Sequence, residues 1–175
     1  MQTITINLYK FSELSEEAKS IAIENLYSIN TDNDWWYSTY EDAAQVNLKI
    51  KGFDIDRGSY VKAEFIESAN NTAELILMNH GESCETYKTA KIFLQDYNEL
   101  VAKYSDGVKT NVVTEENEYD FDNEVDDLEN DFLQSISEDY RIILSNEYDY
   151  LTSEKSIIET IEANEYDFTE DGQLK

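Results

Sequence analysis

Bases, cysteines, glycines and long apolar runs are all scarce in this chain. Against 39 Asp and Glu stand 13 Lys and Arg, a formal net charge of −26. A surface of that sign repels phosphates, so direct nucleic-acid binding and attachment to an anionic membrane are excluded as defaults. With Cys84 as the single cysteine no intrachain disulfide can form, and a reducing compartment is expected. Five glycines leave no glycine-rich phosphate loop and no dinucleotide fingerprint. No apolar run approaches the roughly 18 residues of a membrane span. The opening MQTITINLYKF has no basic stretch leading into an apolar one, so a cytoplasmic protein is expected.

What is present argues for a folded chain. Hydrophobic residues make up 41% and aromatics 13% of 175 residues, enough for one compact domain or a domain with a small appendage. Solubility needs a net charge of only about 2 to 8 in a small domain, so the acid excess calls for another reason. Its distribution is uneven. Residues 1–104 hold 17 acids and 9 bases, net −8, whereas residues 105–175 hold 22 acids and 4 bases, net −18.

The alternation of Ile4, Ile6 and Leu8 with polar residues predicts a strand over Thr3 to Phe11. Ser15 is placed to cap a helix reaching about Asn30. Ser38 with Glu41 spells a capping box for a second helix that Gly52 would end near Lys51. Phe53 and Ile55 suggest a short strand, and Ser59 to Ile66 with Ala73 to Met78 suggest a hairpin turning at Asn70-Asn71. Glu85 to Tyr104 has three-four apolar spacing and predicts a long helix. Ser105-Asp106-Gly107 then breaks the chain. The expected fold is α+β: a mixed strand and helix portion with a small antiparallel sheet over residues 1–104, then an acidic, mainly helical portion over 105–175. The break is short enough for both portions to share one core. Ile136 to Leu144 reads as helix, Thr152 as the cap of a short helix with Ile157, Ile158 and Ile161, and Tyr166 to Thr169 as a strand before an Asp171-Gly172 turn.

Glu115 to Asp131 organises the functional reading: ten of its seventeen residues are acidic and none is basic. Phe121, Val125, Leu128 and Phe132 recur in it at intervals of four, three and four, which aligns them on one helix face. The acids therefore project from a framework, either as a solvated face or as a row resembling phosphates. Candidate partner-binding residues are Glu115, Glu116, Glu118, Tyr119, Asp120, Asp122, Glu124, Asp126, Asp127, Glu129 and Asp131. The pentapeptide Asn117–Phe121 recurs as Asn146–Tyr150 and Asn164–Phe168, at intervals of 29 and 18 residues that exclude a solenoid. The second copy adds Glu147 and Asp149 to the candidates, because acid beside aromatic meets Arg or Lys by charge and by cation–π contact. Helix ends or turns would account for the repeats equally well.

Catalytic signals are weak. His80 lies four residues from Cys84 with no orienting residue or oxyanion hole in view. A calcium loop counted from Asp120 puts Val125 and Asp131 where Gly and Glu are required. No enzyme activity, cofactor or metal ligand is assigned. Trp35 and Trp36 stand together as a core anchor or a binding hot spot.

Phe11-Ser12-Glu13-Leu14-Ser15-Glu16-Glu17-Ala18-Lys19, Asp34-Trp35-Trp36 and Thr39-Tyr40-Glu41-Asp42 resemble the opening of small acidic phage and prophage proteins of unassigned function. Tyr150-Leu151-Thr152-Ser153-Glu154 with Ile157 to Glu170 is similar to their ending. Together these stretches cover about a third of the chain, and some members of that group are labelled antitoxin-like. The charge profile resembles that of phage anti-defence DNA mimics, a functional class without a shared fold. The resemblance implies an inhibitor in the host cell cytoplasm that fills the channel of a basic nucleic-acid-binding host defence protein, such as a restriction or CRISPR complex. The alternatives are an antitoxin-like module binding through an aromatic surface at Trp35, Trp36 and Tyr40, and a divalent-metal-binding acidic protein.

Overall fold

A computed structural model describes residues 7–105 and 118–175. The fold is α+β, with 62% of the described residues helical. Its described strands form two antiparallel pairs, β1 (Tyr9–Lys10) with β4 (Asp167–Phe168) and β2 (Leu48–Asp54) with β3 (Tyr60–Phe65). The chain packs as two compact units, one formed by residues up to Trp35 with Asn146–Lys175, the other by Trp36–Ser145. These limits differ from the division at residue 104 that charge suggests. Helices from the acidic portion contribute to the core of each unit.

In the first unit, β1 runs into a 3-10 turn, Phe11–Glu13, and then α1, Glu16–Asn25. Ser15 caps α1 as expected, accepting a bond from the Ala18 amide at 3.2 Å, with Glu16 and Glu17 on its positive first turn. The helix stops at Asn25 rather than Asn30. Turns follow, and Asn30 donates to the Leu151 carbonyl and Ser156 Oγ while accepting from Thr160 Oγ1. Of the strand expected over Thr3 to Phe11 only Tyr9–Lys10 pairs: residues 3–6 lie outside the described residues, Asn7 and Leu8 are not strand, and Phe11 opens the 3-10 turn. The closing helix α6, Glu154–Ala163, is capped by Ser153, whose side chain accepts from the Ser156 amide. Thr152, the expected cap, instead donates to the Tyr148 carbonyl at 2.8 Å. Phe11, Leu14, Ala18, Ala22, Ile157, Ile161 and Phe168 form the core. Gly172 turns the chain at φ +82, and a Cβ there would run into the Ala18 carbonyl.

The second unit holds α2 (Tyr37–Gln45), the β2–β3 hairpin, α3 (Ala69–Asn79), α4 (Glu85–Tyr104) and most of α5 (Glu118–Leu151). The expected α4 forms over its full range. The capping box at Ser38 does not: Trp36 precedes α2 without a side-chain cap, and Ser38 lies inside the helix. Asn47, at φ 58, takes the left-handed position that ends a helix, so α2 stops six residues before Lys51. The chain then enters β2, with a register shift between Ile50 and Gly52.

The hairpin is β2 with β3, not β3 with residues 73–78. Those residues belong to α3, which Ser68 caps by accepting from the Asn71 amide. The unit's core collects Val46, Leu48, Ile50, Ala73, Ile76, Phe93, Phe132, Ile136 and Tyr140. Phe132 lies between two rings, stacked on Phe93 at 4.3 Å and on Phe65 at 5.6 Å. Burial of Phe93 and Phe132 contributes about 1.5–3 kcal/mol of transfer free energy each, and the stack on half-buried Phe65 extends the contact, so α5 is pinned to both the hairpin and α4.

Candidate functional site

Helix α5 carries the acid run as the apolar spacing requires. Phe132 is buried, and Phe121, Val125 and Leu128 are half-buried on the same face. Asp120, Asp122, Glu124, Asp126, Asp127 and Asp131 are exposed, as is Tyr119, while Glu129 is half-buried. Burial, and then the Asp126 carboxylate, push Glu129 above the usual carboxylate range. Glu118 opens the helix, and Glu115 and Glu116 lie outside the described residues.

At 100° per residue the acids sort into two rows flanking the apolar stripe. Asp120, Glu124, Asp127 and Asp131 form one, and Asp122, Asp126 and Glu129 the other. The four-membered row extends about 16 Å at 1.5 Å rise per residue, a carboxylate every ~5.5 Å of axis. One strand of duplex DNA carries a charge per about 3.4 Å, so the row is a sparser version of that pattern.

One member of the row already has a cation and a hydroxyl on it. Both Glu124 oxygens accept from Lys103 Nζ at 2.7 Å, and Oε1 also accepts from the Tyr104 hydroxyl at 2.7 Å. Lys103 first, then Tyr104, holds Glu124 below the usual range. Tyr104 also meets Phe121 edge-on at 5.7 Å. The end of α4 thereby braces the start of α5. Nothing in the sequence pairs these residues, because the contact spans 21 positions.

The three repeats occupy three settings: the first from Glu118 onward opens α5, Asn117 lying outside the described residues; the second ends α5; and the third makes the turn from α6 into β4. Glu147 is half-buried and Asp149 exposed in the second of these. A shared local sequence therefore does not make a shared surface.

Trp35 and Trp36 are both half-buried and packed on aromatic rings. Trp35 meets Tyr148 at 5.6 Å in the first unit; Trp36 and Tyr40 meet Phe53 edge-on at 5.7 and 6.2 Å in the second. Cys84 is exposed at the start of α4. His80 instead faces Thr86 Oγ1, 2.7 Å from Nδ1, and Asp42 Oδ1, 3.5 Å from Nε2. Tyr140, fully buried, donates to Asp42 Oδ2 at 2.8 Å. The His80 imidazole, with the Tyr140 hydroxyl, holds the Asp42 carboxyl below its ordinary value against burial. Burial, reinforced by Asp42, drives the Tyr140 hydroxyl far above its own.

Among the described residues no three of His, Cys, Asp and Glu converge as metal ligands, and no helix is long and apolar enough to cross a membrane. Comparison with protein-family models, curated proteins and solved structures finds no match to the chain.

Proposed function

We propose that the chain is a nucleic-acid mimic, an anti-defence inhibitor whose α5 acids occupy the basic DNA- or RNA-binding channel of a host defence protein. The observation that carries this reading is the coexistence of exposed acid and fixed framework. Asp120, Asp122, Asp126, Asp127 and Asp131 stand exposed on a helix whose other face is buried through Phe132, Ile136 and Tyr140. Acids on a disordered tail would lose conformational entropy on binding; acids on an anchored helix lose little. The phage-like terminal segments direct the proposal to a defence protein, with the cytoplasm of the host cell as the place of action.

The test uses the whole protein immobilised in nuclease-treated host lysate. Capture of a nucleic-acid-binding protein is expected, competed by duplex DNA or RNA and weakened by salt, because the Debye length falls to about 8 Å at 0.15 M. Replacing Asp120, Asp122, Asp126, Asp127, Glu129 and Asp131 singly by Asn or Gln should weaken capture modestly, since an exposed ion pair contributes about 0–1 kcal/mol. The sixfold variant should abolish it. Capture unaffected by competing nucleic acid, or full-strength capture by the sixfold variant, would overturn the proposal.

A further inference from the structure

Among the described residues strand β3 has a free edge whose chemistry complements itself. Its only strand neighbour among the described residues is β2. The ladder register pairs Leu48 with Phe65, Lys49 with Glu64 and Ile50 with Ala63, and one step beyond it the Ile66 amide donates to the Asn47 carbonyl at 2.8 Å. In an antiparallel ladder hydrogen-bonded pairs alternate with non-bonded ones. Ile66, Glu64 and Lys62 thus turn their backbone groups toward β2, and Val61, Ala63 and Phe65 turn theirs outward. Edge strands are commonly blunted by a bulge. Here the register shift falls on β2, between Ile50 and Gly52, and β3 keeps an unbroken alternation. A groove of about 680 Å³ runs between the hairpin and α5, lined by Val61, Lys62 and Ala63 of β3 and by Asn130, Gln134 and Ser137 of the helix.

We propose that the occupant of this edge is β3 of a second copy, paired antiparallel about a two-fold axis at Ala63, so that two hairpins make one four-stranded sheet. This register uses the outward groups: Ala63 pairs with its own counterpart, and Val61 with Phe65 twice, each as a hydrogen-bonded pair. It sets Lys62 opposite Glu64 twice, in the non-bonded positions where side chains approach most closely. Lys62 has an exposed side chain placed over the Tyr60 ring at 5.2 Å, and no salt bridge to it forms among the described residues. Glu64 lies on the same outer face, where it already pairs with Lys51 and, at 3.6 Å, with Lys49, so Lys62 of a second copy would add a third cation to that carboxylate. A one-residue slip would lose these complementary pairs, so the charges that discourage other pairings select this one. This inference concerns a different surface from the acid rows and stands without them.

The experiment is sedimentation of the full chain across concentration, with amide hydrogen exchange on the same samples. A dimer is expected in which the amides of Val61, Ala63 and Phe65 become protected together. Two chains of −26 repel at long range, so the dimer should tighten as salt rises, opposite in sign to capture by the acid rows. Lys62→Glu and Glu64→Lys should each loosen the dimer roughly tenfold by opposing like charges across both symmetric pairs. The double variant restores opposite charges across the axis and should be tighter than either single variant, short of the original strength because position 64 then faces Lys49 and Lys51 with like charge. Melting curves separate loosening from unfolding, and Ala63→Pro supplies a second block by removing an outward amide. A chain that stays monomeric in high salt overturns the proposal and leaves the edge to a strand of another protein. A double variant no tighter than either single one also overturns it. The sixfold α5 variant should remain dimeric.

Discussion

At the residue scale the buried Tyr140 shows how polar groups fix this core. Its ring belongs to the same core cluster as Val46, Ile76 and Ile136, while its hydroxyl reaches the Asp42 carboxylate, which also meets His80. Thr86 on the far side of His80 adds α4, so α2, α4, α5 and the C-cap of α3 are tied at one point, across 98 positions of sequence between Asp42 and Tyr140. Tyr140→Phe keeps the ring and removes the donor. Asp42 is half exposed and can take water instead, so a loss of only about 0.5–1.5 kcal/mol is expected, read from chemical denaturation. Tyr140→Ala also removes the buried ring, where a cost of about 3–5 kcal/mol is expected. Equal losses for the two variants would show that the bond to Asp42, not the ring, holds the site.

At the element scale, helix starts separate adjacent candidates cleanly. Ser153 accepts from the Ser156 amide and Thr152 does not cap, so Ser153→Ala should cost about 0.5–2 kcal/mol, with Thr152→Ala costing less. Thermal melts of the two variants check the order; the reverse order would return the cap to Thr152. The same contrast explains what the sequence made legible. The full span of α4, the Ser15 cap and the inward face of α5 each rest on a local signal that packing did not override. Leu75-Ile76-Leu77-Met78 is a continuous apolar run, which periodicity cannot assign between strand and helix, and the Ser68 cap decided it. The helix α2 ends at Gln45 and not near Lys51 because Asn47, rather than Gly52, takes the left-handed position. At the candidate site, the acid rows were visible in the spacing of Phe121, Val125, Leu128 and Phe132. The Lys103–Glu124 and Asp42–His80–Tyr140 contacts were not, because long-range pairs leave no local pattern.

At the scale of the whole molecule, charge governs how stability depends on pH. Carboxyls fall into two groups. Burial raises Glu129 and Asp139, the latter against a hydrogen bond from Thr89. Partners lower Asp42 through His80, Glu64 through Lys51, Glu124 through Lys103 and Glu138 through Arg141. A raised carboxyl binds its proton more tightly folded than unfolded, so the folded state gains as pH falls through the raised value. A lowered carboxyl contributes stability above its ordinary value, near 4, and loses it as pH falls through the depressed one. Descending from neutral, the raised pair protonates first, and the repulsion within a chain of −26 relaxes in the same direction. Only further down do the paired acids lose their partners. The melting temperature at low salt should therefore climb from pH 8 to a maximum at about pH 5 and fall below about pH 4. Added salt should raise it more at pH 7 than at the maximum, because screening relieves the same repulsion. Glu129→Gln should flatten the climb without moving the acid-side fall. A melting temperature that is flat or rising toward pH 8 would mean that the acids are already neutralised within the fold, leaving no unbalanced row on α5 for a basic partner to meet.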